Sequence, residues 1–188
     1  NLAEAVLDMS ADQPLPTPEL VKQLELPSNE NPKLVEFSLD LALQEDDRFD
    51  EVGPAGQILW YLNRLEPENV RQVPLPLQYR QVEYDRDSLT EEMLVLELNL
   101  DDELSPIEKP PAQRDFVEIH LLYSHWRIGT LPLTRRISPF FPTAYEAPRI
   151  RFMLVDGETG EKFPGWVVRE CGYIFGLDEW YRKRELIP

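Results

Sequence analysis

FDEVGPAGQILWYL, residues 49–62, is the stretch that decides the fold of the N-terminal part of the chain. Two short apolar segments lie on either side of a Gly-Pro-Ala-Gly sequence at positions 53–56. Glycine and proline favour tight turns, whereas β-branched and aromatic residues favour strands. The stretch therefore predicts two short strands joined by a turn, and the helices predicted before it show which kind of domain contains the hairpin.

Apolar spacing predicts two helices near the N-terminus. In NLAEAVLDM, the side chains of Leu2, Val6 and Met9 share one helical face. In ADQPLPTPELVKQLEL, Thr17 is the expected N-cap and Pro18 occupies the first helical position. The two segments are separated by a turn.

A third helix is predicted to begin at Pro32 and to end near the acidic sequence QEDDR at positions 44–48. Its apolar residues recur at roughly helical spacing, and they are Leu34, Phe37, Leu41 and Leu43. Three helices followed by a two-stranded wing is the element order of winged helix-turn-helix domains. The sequence therefore predicts an α+β protein whose residues 1–79 form a winged-helix domain.

Two segments of this domain carry a resemblance to a known family. They are PLPTPEL before the second helix and LALQEDDRFDEVGPAGQILWYL at the third helix and wing. In the second segment, the residues that match the family's pattern after the leucines of the third helix are Asp47, Arg48, Phe49, Val52, Gly53, Trp60 and Leu62. In this pattern the domain resembles the HARE-type winged-helix family. The resemblance implies contact with DNA or chromatin, or attachment to polymerase and restriction proteins.

The charge of the third helix departs from that of DNA-binding winged helices, in which this helix enters the major groove. Here it offers Lys33 and five acids, which are Glu36, Asp40, Glu45, Asp46 and Asp47. Residues 1–75 together hold 15 acidic and 5 basic side chains. Because a negative field repels phosphate, we expect this domain mainly to contact protein, with direct DNA contact as the alternative.

Residues 80–113 are predicted to form an acidic connector with a proline-rich hinge. SLTEE is typical of a capping box, with Ser88 as the cap and Glu91 three residues later. The apolar residues that would line one helical face are Leu89, Met93, Leu96 and Leu100. Alternating leucines at positions 94–100 leave a strand as the alternative. SPIEKPPAQ then predicts the hinge.

The part after the hinge is predicted to form a small β pseudobarrel. FVEIHLLYSHWRIGTLPL indicates two strands with an exposed turn at Ser124–Arg127, and TRRISPFF indicates a short helix or turn. PRIRFMLVD alternates, so that Arg149 and Arg151 point outward and Ile150 points inward. A DGETG turn, two further strands and a short final helix complete the set.

Residues 114–188 contain WRIGTLPLTRRISPFFP, IRFMLVDGETGEKFPGWVV and YIFGLDEWYRKREL in this order. In these motifs the segment resembles the plant-type B-three DNA-binding pseudobarrel, which also serves as the effector domain of some restriction endonucleases. The resemblance implies that two arms enter the major groove. The first arm maps to Ser124, His125, Trp126, Arg127 and Gly129. The second arm maps to Trp166, Val168 and Arg169. The family's last strand would begin where this chain stops, so we expect a fragment of a longer protein.

Chemistry alone supports the same DNA-binding candidates. Arginine can bind guanine edges with two hydrogen bonds, and histidine and serine can bond bases or phosphates. The arginines expected to position the DNA backbone are Arg135, Arg136, Arg149 and Arg151. Residues 114–188 hold 10 acidic and 11 basic side chains, so DNA contact is expected here rather than in the acidic remainder.

Composition argues against several other functions. Two histidines and one cysteine provide no zinc site and no Cys-His catalytic pair at ligand spacing, so we expect no enzyme, metal or cofactor. Cys171 lies in an apolar run and is expected to be a buried thiol, and a single cysteine suits the reducing cytoplasm. No apolar run is long enough to cross a bilayer, so we expect no membrane partner.

Two functions remain. In the first, the protein binds duplex DNA through the pseudobarrel, and its acidic winged helix contacts protein. In the second, the chain is a non-catalytic protein-interaction module with an acidic docking face. A continuous basic strip between the two arms would favour DNA, whereas neutral and apolar arms would favour a protein partner.

Overall fold

The computed structural model describes residues 2–10, 13–26, 31–78, 82–95, 116–144 and 147–188. These residues form short helices and two small antiparallel sheets, so the predicted α+β class is confirmed. The N-terminal sheet has three strands and the C-terminal sheet has four.

The predicted order of three helices followed by a hairpin is confirmed. The elements are α1 (Leu2–Met9), β1 (Leu15–Pro16), α2 (Thr17–Gln23), α3 (Pro32–Gln44), β2 (Phe49–Glu51) and β3 (Leu59–Leu62). The strands pair antiparallel in the order β1-β3-β2. At Gly53, a Cβ atom would lie 1.9 Å from the carbonyl oxygen of Gln57, so the turn between β2 and β3 requires glycine.

The core of this part packs α1, α2 and α3 against β3. Its buried residues are Ala3, Leu7, Leu20, Leu43, Phe49, Trp60 and Leu62. The face predicted for α1 is wrong, because Leu2 and Met9 are exposed and only Val6 of that set packs against the core. The helix instead buries Ala3 and Leu7, a face that lies next to the predicted one.

Thr17 does not cap α2 as predicted. The N-cap is Pro16, which has no side-chain donor or acceptor. The Thr17 hydroxyl donates instead to Asp40 of α3 at 2.5 Å. The Trp60 indole N–H also donates to Asp40, at 2.9 Å. Asp40, one of the five acids expected on the third helix, is half-buried and links α2, α3 and β3.

Short helical turns follow the hairpin. They are the 3₁₀ segments Asn63–Leu65, Leu75–Leu77 and Arg86–Ser88, helix α4 (Glu68–Arg71) and helix α5, which includes residues 91–95. A helix in the predicted connector is therefore confirmed, but its cap is Thr90, whose hydroxyl accepts from the Met93 N–H at 3.3 Å. Ser88 instead donates to Asp85. The predicted hinge lies outside the described residues.

The C-terminal sheet follows the order β4-β7-β6-β5, with all pairs antiparallel. Its elements are α6 (Tyr123–Ile128), β4 (Thr130–Pro132), the 3₁₀ segment Ser138–Phe140, β5 (Arg149–Val155), β6 (Lys162–Val168), β7 (Tyr173–Phe175) and α7 (Asp178–Lys183). Within the described residues the sheet is open and does not close into a barrel. The DGETG turn, the strands around it and the final helix are confirmed.

Helix α6 replaces the exposed turn predicted at Ser124–Arg127. No strand is present among residues 116–129. Of the two strands predicted for this segment, only the second forms, as β4. The helix ends at Gly129, which adopts a left-handed conformation with φ of 69°. A Cβ atom at Gly129 would lie 2.2 Å from the backbone nitrogen of Asp178, so α6 and α7 can meet only at a glycine.

Both faces of the C-terminal sheet contribute residues to a buried cluster. One face packs Ile150, Val167 and Ile174 against the loops of its own part. The other face packs against the N-terminal hairpin and α4, in a cluster of buried residues that are Val52, Tyr61, Val70, Trp166, Val168 and Tyr173. We call this cluster the shared core. Hydrogen bonds also join the same two parts, and they include Tyr173 Oη to the Asn69 carbonyl at 2.6 Å, the Arg151 N–H to the Val52 carbonyl at 3.0 Å, and Arg149 Nε to the Asp50 carboxylate at 3.1 Å.

Candidate interaction surfaces

The first predicted DNA-binding arm lies on and just after α6, and its histidine is buried. His125 Nδ1 lies 2.9 Å from the Thr130 hydroxyl, and burial lowers the pKa of His125 to about 4. The imidazole is therefore neutral near pH 7 and turned away from solvent. The Trp126 N–H donates to the Leu186 carbonyl at 2.7 Å, and Ser124 is half-buried. Only Arg127 of this arm presents an exposed side chain that could reach phosphate.

The two arginines of β5 do not point to solvent as predicted. Arg149 forms ion pairs with Asp50 and, at 3.2 Å, with Glu66. The Arg151 guanidinium lies 5.5 Å from the centre of the Tyr61 ring. Alternation along β5 correctly separated the arginines from Ile150, but the arginine face is covered by the N-terminal part. Arg149 thus serves the contact between the two parts.

The second predicted arm is mostly core. Trp166 and Val168 are buried in the shared core. Arg169 is exposed, and its guanidinium donates to the Ala147 carbonyl at 3.0 Å. Arg135 is exposed and Arg136 is half-buried in the turn that follows β4. The structure therefore divides the predicted DNA-binding residues among the core, the contact between the two parts and the surface.

The basic residues of α7 also have partners. Arg182 pairs with Asp178, Lys183 pairs with Glu161, and Arg184 pairs with Asp156 and Glu158. Asp156 is buried, and it also accepts from the Trp180 N–H at 2.8 Å. The hydrogen bond from Arg184 is the main reason that the pKa of Asp156 lies well below its usual range. Lys183 and the C-cap residue Arg184 fix the end of α7 onto the β5–β6 hairpin, whereas the ion pair of Arg182 lies within the helix.

Helix α3 carries a second candidate surface, which is apolar and exposed. Leu34, Phe37 and Leu41 are exposed by 55%, 65% and 47%. Positions 34, 37 and 41 fall on one side of a helix, so the three side chains form a continuous stripe. We call it the α3 stripe. Leu43 is the one buried residue of α3, and Leu39 packs partly against the core beside it. The spacing of these residues was visible in the sequence, but their exposure was not.

Acidic residues follow the α3 stripe at the carboxyl end of the helix. Glu45 and Asp47 are exposed, and Asp46 binds Arg48 with its carboxylate. The hydrogen bond from Arg48 lowers the pKa of Asp46 to about 2, and Arg48 offsets the charge of Asp46. The negative charge at this end of the helix therefore comes from Glu45 and Asp47. The carboxyl end of a helix is also the negative end of its dipole. The stripe therefore combines apolar contact area with negative charge.

A buried charge cluster lies where the two parts meet. The Glu66 side chain is inaccessible to solvent, and neither carboxylate oxygen has a hydrogen-bond partner. Burial is the main cause that raises the pKa of Glu66 to about 8, and the charge of Asp50 adds to it. Arg149 opposes the shift, but this single cation is shared by two carboxylates. One proton on Glu66 removes the excess negative charge.

Other chemistry has little support among the described residues. No cluster of three or more histidine, cysteine, aspartate or glutamate side chains could hold a metal there. The prediction that Cys171 is buried is wrong, because it is exposed in the turn between β6 and β7. Desolvation and Glu170 raise the pKa of its thiol, which disfavours the nucleophilic thiolate.

No described helix has both the length and the apolar character needed to cross a membrane. Comparison of the chain with protein-family models, with curated proteins and with solved structures found no match.

Proposed function

We propose that this chain is a protein-interaction module that binds a basic, amphipathic helix of a partner protein on the α3 stripe. The observation that carries the proposal is the exposure of Leu34, Phe37 and Leu41 on one side of α3. Single exposed apolar residues are ordinary, but a continuous apolar stripe on one helix indicates a contact surface. This function agrees with the expectation that the N-terminal domain contacts protein.

The negative charge near the α3 stripe indicates that the partner is basic. Glu45, Asp46 and Asp47 follow the stripe, and residues 1–75 hold 15 acidic against 5 basic side chains. A partner helix with apolar anchors on one face and lysine or arginine beside them would match both features. Phosphate would meet repulsion at the same place, so α3 is a poor match for the DNA groove. The resemblance to HARE-type domains is compatible with this role.

The experiment uses a synthetic helical peptide with leucines on one face and lysines beside them. A matched peptide carries glutamate in place of lysine and keeps the leucines. Binding to the full chain is measured by fluorescence anisotropy at low and moderate salt. We expect the basic peptide to bind at least ~10-fold more tightly than the acidic one, with affinity that falls as salt rises.

Variants assign the binding to the stripe. Phe37→Ser should weaken binding of the basic peptide by ~10-fold or more, because it removes the central anchor of the stripe. Val155→Ser changes an apolar residue of β5 that is 57% exposed, and it should leave binding unchanged. Equal binding by the Phe37→Ser variant and the unmodified chain would refute the proposal.

A second function remains as a proposal, which is duplex DNA binding by the C-terminal part. It is favoured by the exposed guanidinium groups of Arg127, Arg135 and Arg169 in a segment whose charges nearly balance. Binding to random-sequence duplex DNA that weakens with salt and is lost in an Arg127→Ala, Arg169→Ala variant would support it. Absence of binding at low salt would reject it and would leave the α3 proposal intact.

A further inference from the structure

An open cleft of about 610 Å³ lies between the N-terminal hairpin and the C-terminal sheet. Residues that line it from the N-terminal part include Leu59 and Tyr61, and those from the C-terminal part include Phe152, Met153 and Trp166. The cleft is separate from the α3 stripe, none of whose residues line it. Its volume is in the range of small-molecule sites, which often lie where two parts of a protein meet.

Two aromatic rings lie beneath the cleft and are almost completely buried. The rings of Tyr61 and Trp166 lie 5.7 Å apart between their centres, and both residues are buried in the shared core. Met153 and Pro164 are exposed at the rim. The exposed apolar rim favours a flat apolar group, because such a group can lie on Met153 and Pro164 above the buried rings.

Arg151 is the one charged residue among the described residues that line the cleft. Its guanidinium lies against the Tyr61 ring, and its backbone N–H donates to the Val52 carbonyl at 3.0 Å. Arg151 forms no ion pair with any residue that the structure describes, unlike Arg149 two positions earlier. In a chain of formal net charge −16, the cleft therefore offers a positioned cation beside an apolar floor.

We propose that the cleft binds a small monocarboxylate with a flat apolar body. The carboxylate would accept hydrogen bonds from Arg151, whose planar guanidinium matches its two oxygens. The apolar body would contact Met153 and Pro164 at the rim and reach the accessible edge of Trp166. The single cation among the described lining residues matches one negative charge better than it matches the several charges of a nucleotide.

The test measures the affinity of the full chain for 2-naphthylacetate by isothermal titration calorimetry. The neutral analogue 2-naphthylacetamide has nearly the same shape and lacks the charge. We expect saturable binding of the carboxylate, with the amide weaker by about tenfold or more. Arg151→Gln should reduce the affinity for the carboxylate to that of the amide, whereas Arg182→Gln, which removes an exposed cation of α7, should have no effect.

A second measurement needs no variant. Proton NMR of the bound probe should give nuclear Overhauser effects between the naphthyl ring and both the Met153 methyl group and the Trp166 ring. The proposal is overturned if carboxylate and amide bind equally, if neither binds at millimolar concentration, or if the Overhauser effects arise elsewhere. The α3 proposal is unaffected by any of these results, since the probe does not contact that surface.

Discussion

At the scale of single residues, the unusual group is Glu66. Its side chain is buried, and it shares Arg149 with the carboxylate of Asp50. The folded protein therefore holds a proton on Glu66 up to a pKa of about 8, whereas the ordinary value is 4.5. Arg71 adds a weaker attraction to the ionised form. Such a group makes the contact between the two parts sensitive to pH.

The sign of this sensitivity follows from the raised pKa. Between about pH 4.5 and 8 the folded state keeps the proton and the unfolded state does not, so stability falls as pH rises through this window. The Glu66→Gln variant has no such titration. The difference in unfolding free energy between the variant and the unmodified chain should therefore shift in favour of the variant as the pH rises from 5 to 8.5. Urea unfolding midpoints at several pH values provide the measurement. Glu68→Gln, an exposed neighbour, serves as the control, and parallel pH profiles for all three proteins would contradict the prediction.

At the scale of elements, Asp156 joins the β5–β6 hairpin to α7. One carboxylate oxygen accepts from the Glu158 N–H at 2.8 Å, within the turn. The carboxylate also accepts from Trp180 at 2.8 Å and from Arg184 at 2.6 Å. The same side chain thus shapes the turn and holds the last helix, and the two roles use different donors.

Asp156→Asn should separate these roles. The amide oxygen can still accept from the turn and from one N–H of Arg184, but the amide nitrogen cannot accept from Trp180, and the negative charge that pairs with Arg184 is lost. We expect the amides of α7 to lose hydrogen-exchange protection and the Tm to fall by roughly 5 °C, while the strand amides of the hairpin stay protected. Asp178→Asn, which removes an exposed ion pair of the same helix, should change little. Retained protection in α7 of the Asp156→Asn variant would argue against this role.

Elements with local turn signals could be predicted from the sequence. The Gly-Pro-Ala-Gly and DGETG segments correctly predicted the two hairpins, and Pro32 correctly predicted the start of α3. Helix α6 was missed because SHWRI sits between apolar segments that also suit strands. The signal that could have found it is Gly129, which follows the last turn as a helix-ending glycine does.

The candidate sites were harder to predict than the elements. Spacing showed that Leu34, Phe37 and Leu41 share a side of α3. Tertiary packing decides which side of the helix is buried, and in the structure it is the side with Leu43 and Leu39. Similarly, alternation put Arg149 and Arg151 on one face of β5, and only the tertiary fold shows that the hairpin covers this face. Periodicity reports relative directions within an element and contains no information about its neighbours.

At the scale of the whole molecule, the two parts share a core. Val52, Tyr61 and Val70 of the N-terminal part pack against Trp166 and its neighbours from the C-terminal part. Arg149 adds ion pairs across the same boundary. Separation of the parts would expose these apolar side chains to water and leave Glu66 and Arg149 without their partners. The two parts should therefore unfold together.

Val168→Ala tests this coupling, because Val168 belongs to the C-terminal part and packs in the shared core. Removal of its methyl groups should lower the free energy of unfolding by about 2 kcal/mol. The loss should appear equally in the hydrogen exchange of Leu62 in β3 and of Ile174 in β7. Val155→Ala, at an exposed position of β5, is the matched control. A loss of protection confined to Ile174 would show that the parts unfold independently.

The central claim is that α3 presents a docking surface for a basic amphipathic helix. The most direct measurement is a backbone NMR titration of the labelled chain with the leucine-lysine peptide. We predict that the shifts concentrate on the amides of α3 between Leu34 and Glu45 and that Phe37→Ser abolishes them. Shifts centred on Arg127, Arg135 and Arg169, or no shifts at saturating peptide, would contradict the claim.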